Sequence, residues 1–189
     1  INGGYTLAVL LPLAWLNGEL HFVDQHLIIV ASLADIVFCY FNFRAKGKAK
    51  CFAGDVGSIS AAMIVIFALG SLILKTGDFT YIVFLVVYGV DSVLTIIHRL
   101  MLHENIGQAH RKHAYQLMAN ELKLEHTLVA SIYSLLQLVI SVGVILIPDT
   151  PVWHWGYFTV VCILLIVVYL LFMKKFYHLH EEYLASLKK

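Results

Sequence analysis

Six stretches of the chain are almost purely apolar: residues 5–16, 26–43, 59–74, 79–97, 127–147 and 153–173. Between them the polar residues collect in short, sharply bounded connections. A bilayer crossing needs roughly 20 apolar residues in helical form. The last three runs reach that length unaided, and 59–74 reaches it by starting a few residues earlier or being capped by Lys75. The first run is short, as a truncated or partly lost helix would be. Backbone groups in lipid must pair within their own segment, so runs of this apolarity predict helices. The pattern therefore predicts an all-α fold: a polytopic transmembrane bundle of about six spans with both ends on one side.

Composition agrees. Of 189 residues, 60% are hydrophobic and 13% charged, against about 45–50% and about 25% in an ordinary soluble domain. That excludes disorder, nucleic-acid-binding tails and a standard soluble enzyme. The distribution of charge then orients the bundle. Arg44, Lys46, Lys48 and Lys50 follow the second run, and Arg99, Arg111, Lys112 and Lys123 follow the fourth. Lys174, Lys175, Lys188 and Lys189 follow the sixth, which leaves Lys75 alone of 13 basic residues on the other side. By the positive-inside rule the three basic regions are cytoplasmic, with Trp153 and Trp155 at the outer interface. Cys39, Cys51 and Cys162 form no CxxC pair and point to neither a disulfide framework nor a zinc site. There is no internal repeat, and 1–189 reads as a single membrane domain.

The chemistry concentrates in two of the cytoplasmic loops. After the second span comes Asn42, the basic cluster ending at Lys50, and then Gly54-Asp55-Val56-Gly57-Ser58 at the mouth of a helix. Glycines beside an aspartate let the backbone approach a ligand. One carboxylate at a membrane mouth beside cations suits Mg²⁺ shared with a phosphate-bearing substrate. A basic membrane anchor followed by a helix cap explains the same residues without a ligand. After the fourth span, His98, His103, His110, His113 and His126 cluster around Arg111 and Lys112. Arg and Lys bind phosphate, and His donates to it or moves a proton. His110 and His113 are three apart and would share a helical face; a headgroup-facing polar loop is the plainer alternative. Arg111 and Tyr115 are four apart, and Gln116 lies three beyond His113, so a helix there would turn each pair toward one ligand. Asp35 and Asp91 lie within apolar runs, seven residues before Asn42 and His98 respectively. A carboxylate at a span centre costs about 2.5–3.5 kcal/mol on insertion scales, so both should face the bundle or a wet cavity.

Together these residues resemble the polyprenyl-phosphate N-acetylhexosamine-1-phosphate transferases, glycosyltransferase family 4. Phe52–Ser58, reading FAGDVGS after Asn42 and Ala49-Lys50, resembles the family's N…AKxFMGDxGS signature. Tyr88-Gly89-Val90-Asp91-Ser92 with His98-Arg99 resembles its P-x-x-D-T…R-R helix, and Arg111-Lys112-His113-Ala114-Tyr115-Gln116 resembles its histidine loop. Ile1-Asn2-Gly3 resembles the tail of a D-G-x-N-G motif, which implies that this is the C-terminal part of a larger transferase. Only His113 keeps a histidine of the family's cluster. HRxHAYQ is similar to the branch that uses nucleotide-activated GlcNAc- or FucNAc-type sugars for surface polysaccharides.

The resemblance implies transfer of a sugar-1-phosphate, GlcNAc-1-phosphate in the first instance, from a UDP-sugar to undecaprenyl phosphate, with UMP released. It implies Mg²⁺, with Mn²⁺ as a substitute, and Asp55 as its ligand. Asp55, Arg111 and His113 would be catalytic. Asn2, Asn42, Lys50, Gly54, Gly57, Ser58, Tyr115 and Gln116 would bind substrate. Membrane lipid and a second copy of the chain are the expected further partners, with no nucleic acid. The setting would be the bacterial cytoplasmic membrane, with the active face inward. Two other classes compete: part of a secondary transporter, which would also carry intramembrane aspartates, and a non-catalytic membrane subunit.

Overall fold

The computed structural model describes residues 1–45, 47–108 and 111–186, so Lys46, His110, Lys188 and Lys189 lie outside the described residues. The described residues form helices joined by turns and loops, with no strand among them. In order it forms α1 (Asn2–Leu20), α2 (Gln25–Asn42), α3 (Gly54–Thr76), a 3-10 segment (Phe79–Leu85) that runs into α4 (Val86–Met101), α5 (Ala114–Asn120), α6 (His126–Leu146) and α7 (Pro151–Ser186). Five spans are long and apolar enough to cross a membrane: α2, α3, the 3-10 segment with α4, α6, and α7. Their outward surfaces are apolar too, as at Val30, Leu33, Val37, Leu135, Val139, Leu164 and Leu171. An apolar surface this continuous belongs against lipid or further protein rather than water. The chain is a multi-pass membrane protein.

The first run departs from expectation. It is a complete helix of 19 residues, about 28 Å long at 1.5 Å per residue. It is absent from the membrane-crossing set because the polar residues at its two ends, Asn2–Gly4 and Asn17–Glu19, dilute a short apolar run; it packs on α2, α3 and α6. Val9 and Leu13 have no exposed surface. A Cβ on Gly3 would meet Cys39 Sγ at 2.5 Å and Asp35 Oδ1 at 3.2 Å, so the missing side chain is what lets α1 and α2 approach.

The other runs behave as their patterns predict, with reasons visible at their ends. Asp24 caps α2 by accepting from the His26 N–H at 2.8 Å. Proline at the first position of α7 needs no backbone partner there. That helix has 36 residues, about 54 Å, so it outruns the roughly 30 Å hydrocarbon core. The 3-10 segment interrupts the regular pairing of the fourth span, and Gln137 of α6 repairs it. Gln137 is fully buried, donates to the Val83 carbonyl at 3.0 Å and accepts from the Val87 N–H at 3.2 Å and the Tyr5 hydroxyl at 2.7 Å. One side chain thereby ties α1, the fourth span and α6 together.

Up-and-down connection sorts the bundle into two polar ends. The start of α1, the 43–53 loop, the region 102–125 and the end of α7 share one end. The 21–24, 77–78 and 147–150 turns share the other, which includes Lys75. At that second end, buried His154 of α7 holds Asp78 through Nδ1 and Oδ2 at 2.5 Å. Thr80 donates to the other carboxylate oxygen from its backbone at 2.9 Å and its hydroxyl at 2.7 Å. Burial pushes the Asp78 carboxyl up, but the hydrogen bonds from Thr80 and His154 outweigh it and hold the group below the usual carboxylate range.

A depressed carboxyl pKa stabilises the fold above the unfolded pKa and is lost as pH falls through the folded one. In detergent at pH 7, Asp78→Asn should therefore lower Tm by about 2–4 °C, the shift expected for a single charge-assisted contact in a chain of this size. The difference should shrink as pH is taken below about 4. A Tm gap that stays constant over that interval would contradict a stabilising role for the ionised group.

Candidate functional site

The basic end carries both sequence motifs, each on its own scaffold. In the first, the loop after α2 folds back on the helix. The Lys50 N–H donates to the Phe41 carbonyl at 2.9 Å, and Asn42 Nδ2 donates to the Cys51 carbonyl at 2.7 Å. Arg44 also turns back, donating to the Tyr40 carbonyl at 3.0 Å and lying over the Tyr40 ring. Lys50 itself is exposed. α3 then starts at Gly54, whose φ of +59° lies in the left-handed region that favours glycine. Asp55 stands exposed in the first turn, where the helix dipole favours negative charge. Asn2 reaches this turn from α1, donating to Ser58 Oγ at 2.6 Å while Ser58 donates to the Gly54 carbonyl at 2.7 Å. Asn2, tied to substrate binding only through the family resemblance, thus touches the turn that holds Gly54, Asp55, Gly57 and Ser58.

The described residues contain no group of three or more His, Cys, Asp or Glu able to hold a metal ion. Asp55 offers a single accessible carboxylate. Mg²⁺ commonly takes one or two carboxylates and completes its octahedron with water and substrate phosphate. The donor set therefore fits a Mg²⁺ shared with a phosphate-bearing ligand, and does not form a closed protein cage.

The second motif is organised by Asp91, 3% exposed within α4. Its Oδ2 accepts from Tyr133 of α6 at 2.9 Å. Its Oδ1 accepts from the Ala114 N–H at 3.0 Å and Thr95 Oγ1 at 3.2 Å, and lies 3.4 Å from His113 Nδ1. The Thr95 hydroxyl in turn meets Tyr169 of α7 at 3.0 Å. One buried carboxylate therefore joins α4, α6 and the first N–H of α5, and reaches α7 through Thr95. Next to it, Arg99 is 2% exposed and gathers the loop beyond α4. Its guanidinium donates to Glu104 at 3.2 Å and to the carbonyls of Asn105, Ile106 and Gln108 at 2.6, 3.2 and 3.2 Å. Lys112 pairs with the other Glu104 oxygen. That ammonium contact, reinforced by Arg99, holds the Glu104 carboxyl below its usual range.

This geometry corrects the helical reading over 111–116, and the pairing of His110 with His113 lies outside the described residues. The helix begins only at Ala114, so Arg111 precedes it and the four-residue spacing to Tyr115 has no facial meaning. Gln116 does not turn outward with His113; its Oε1 accepts from the His113 N–H at 3.3 Å and caps α5. Tyr115 stacks on the His113 ring at 5.3 Å and meets Tyr133 edge-on, and burial raises its hydroxyl pKa, with the Asp91 charge adding to that. His98 is likewise not turned toward Asp91 but packs edge-on against Tyr177 of α7.

His126 lines a cavity beside each loop, a placement that its sequence position did not reveal. It lines a cavity of about 410 Å³ shared with Asn42, Arg44 and Phe52. It also lines one of about 590 Å³ shared with Arg111, Asn120 and Glu121. A third cavity, about 360 Å³ and mainly apolar, opens between α1, α2 and α3 beside Asn2 and Gly57. Asp35 is on its wall, with Oδ2 buried and without a hydrogen-bond partner among the described residues. No family model, curated protein or solved structure matches this chain.

Asp91 should be indispensable to this arrangement. Asp91→Leu leaves the Ala114 N–H and the Tyr133 hydroxyl buried without an acceptor, at about 1–3 kcal/mol each. Hydrogen exchange in detergent should show residues 111–120 losing protection while α1 and α6 keep theirs. Unchanged protection of 111–120 would show that α5 does not depend on the carboxylate.

Proposed function

We propose that this chain forms the polar face of a membrane transferase that moves a sugar-1-phosphate from a UDP-sugar to a polyprenyl phosphate. The observation that carries the reading is that His126, at the basic end of the bundle, lines one cavity with Asn42 and Arg44 and another with Arg111, while Asp55 and His113 line neither. In a transporter the key polar groups cluster near the midplane. Here the cationic and histidine side chains gather where a surface reaction would need them.

In the proposed reaction a phosphate oxygen of the polyprenyl acceptor attacks the β-phosphorus of the UDP-sugar. The bond from that phosphorus to the bridging oxygen breaks, its electron pair leaves with UMP, and the product is a polyprenyl-diphospho-sugar. Charge spreads over the phosphate oxygens, so positioned cations supply most of what such a step needs. Arg111 and Lys50, both exposed, are suited to neutralise phosphate. His113, held against Asp91, is suited to orient it. When bound, Mg²⁺ would be held by Asp55 and would supply positive charge to offset that developing on phosphate. Tyr115 and Gln116 act in this reading by setting His113, through stacking and capping. The substrate is GlcNAc-1-phosphate carried on UDP, the acceptor undecaprenyl phosphate, and the setting the cytoplasmic face of a bacterial inner membrane.

Asp55→Asn in the full chain should insert normally and lose about 100-fold or more in UMP release, the scale of removing one transition-state electrostatic partner. Turnover within a few-fold of wild type would reject Asp55 as the metal ligand. One observation favours a second reading: Asp35 carries an unpartnered buried oxygen inside α2, as an ion-coupled transporter would. Solute flux by reconstituted protein that Asp35→Asn abolishes, without any UMP release, would replace the transferase with that alternative.

A further inference from the structure

Glu121 is the buried carboxylate for which the reading above has no use. It sits at the end of α5, its N–H donating to the Leu117 carbonyl at 3.1 Å. Its side chain is only 6% exposed. Oε1 is engaged by His180 Nδ1 of α7 at 2.8 Å. Oε2 is buried and has no hydrogen-bond partner among the described residues. A carboxylate oxygen held this way keeps its desolvation cost uncompensated until a donor reaches it.

The residue forms part of the wall of the 590 Å³ cavity, together with Arg111, Asn120, Lys123, Glu125 and His126. That volume lies in the range of about 300–1,000 Å³ typical of small-molecule sites. The lining combines two cations with two carboxylates and an amide. Such a wall suits a ligand that carries phosphate beside neutral hydrogen-bond donors, rather than a simple anion. His126 also lines the cavity at Asn42, Arg44 and Phe52, so the two cavities lie on either side of one residue.

We propose that this cavity is the subsite for the sugar of the nucleotide-sugar, and that Glu121 selects the sugar by accepting from one of its hydroxyl or amide N–H groups. The inference rests on the transferase reading, and it assigns the cavity a ligand and Glu121 a specificity role. An ammonium-bearing lipid headgroup offers related chemistry, a donor close to a phosphate. The sugar is favoured because His126 places this cavity beside the one lined by Asn42 and Arg44, on the loop that the transferase reading assigns to substrate.

The test measures affinities of the full chain in nanodiscs for UDP and UDP-GlcNAc, comparing wild type with Glu121→Gln, and Tm reports folding. Glu121→Gln should weaken UDP-GlcNAc about tenfold or more, as expected for a lost hydrogen bond to a charged group, and leave UDP unchanged. Deoxy and N-acyl analogues of UDP-GlcNAc should include one that wild type binds about tenfold more weakly and that the variant does not distinguish. Should Glu121→Gln lose its Tm, Glu121→Asp, which keeps a charge opposite His180, carries the same comparison. Equal effects on UDP and UDP-GlcNAc, or none, would overturn the role of Glu121 and leave the transferase reading intact. Wild type that binds neither nucleotide would instead reject the transferase reading, and the inference with it. Loss of phosphatidylethanolamine-dependent stabilisation, with UDP-GlcNAc affinity unchanged, would assign the cavity to lipid and overturn the proposal.

Discussion

A carboxylate buried in a membrane span must be paired, and at Asp91 that requirement shapes the whole basic end. Its partners come from α4, α5 and α6, with α7 reached through Thr95. Without an acceptor at that point the short helix α5 would have no fixed start. His113 and Tyr115 would then lose the position from which they face the loop surface. Seven residues cannot hold themselves helical in water, so α5 depends on the acceptor that Asp91 supplies at Ala114 in addition to its own His113–Gln116 capping box. Arg99 completes the support by using its guanidinium on three loop carbonyls and Glu104. The Arg99 cation therefore serves the architecture and not a ligand.

The two ends of the bundle differ accordingly. At the basic end, buried charged groups hold loops open around cavities that share His126. At the opposite end, His154 and Asp78 close a short turn against the start of α7. Gln137 lies between the ends and repairs the one break in regular helical pairing. These buried polar contacts link neighbouring helices where apolar packing alone would leave their relative positions loosely defined.

Much of this could be read from the residues in order. The apolar runs fixed where α2, α3, α4, α6 and α7 lie, because lipid permits few alternatives to a helix. Gly54-Asp55 was legible as a helix mouth because the residue types themselves demand that backbone. α1 was underestimated because its run is short, and its central position depends on packing that no local pattern reports. The 3-10 segment was hidden inside a uniformly apolar run, since the residue that compensates for it, Gln137, is 50 positions from Val87. Arg111 and Tyr115 were misplaced for a similar reason: the acceptor that receives the Ala114 N–H at the start of α5 is Asp91, 23 positions earlier. Long-range partners also explain why the placement of His126 between the two loops, and of Glu121 on a cavity wall, appears only in three dimensions.

The central claim is that the 42–58 and 111–126 regions form one nucleotide-sugar site at the basic end. A photoactivatable azido-UDP-sugar, applied to the full chain in its membrane and mapped by mass spectrometry, tests this directly. The account predicts adducts in both regions, each suppressed by excess UDP-GlcNAc. Adducts confined to the 21–24, 77–78 and 147–150 turns, or labelling that UDP-GlcNAc does not compete, would contradict it.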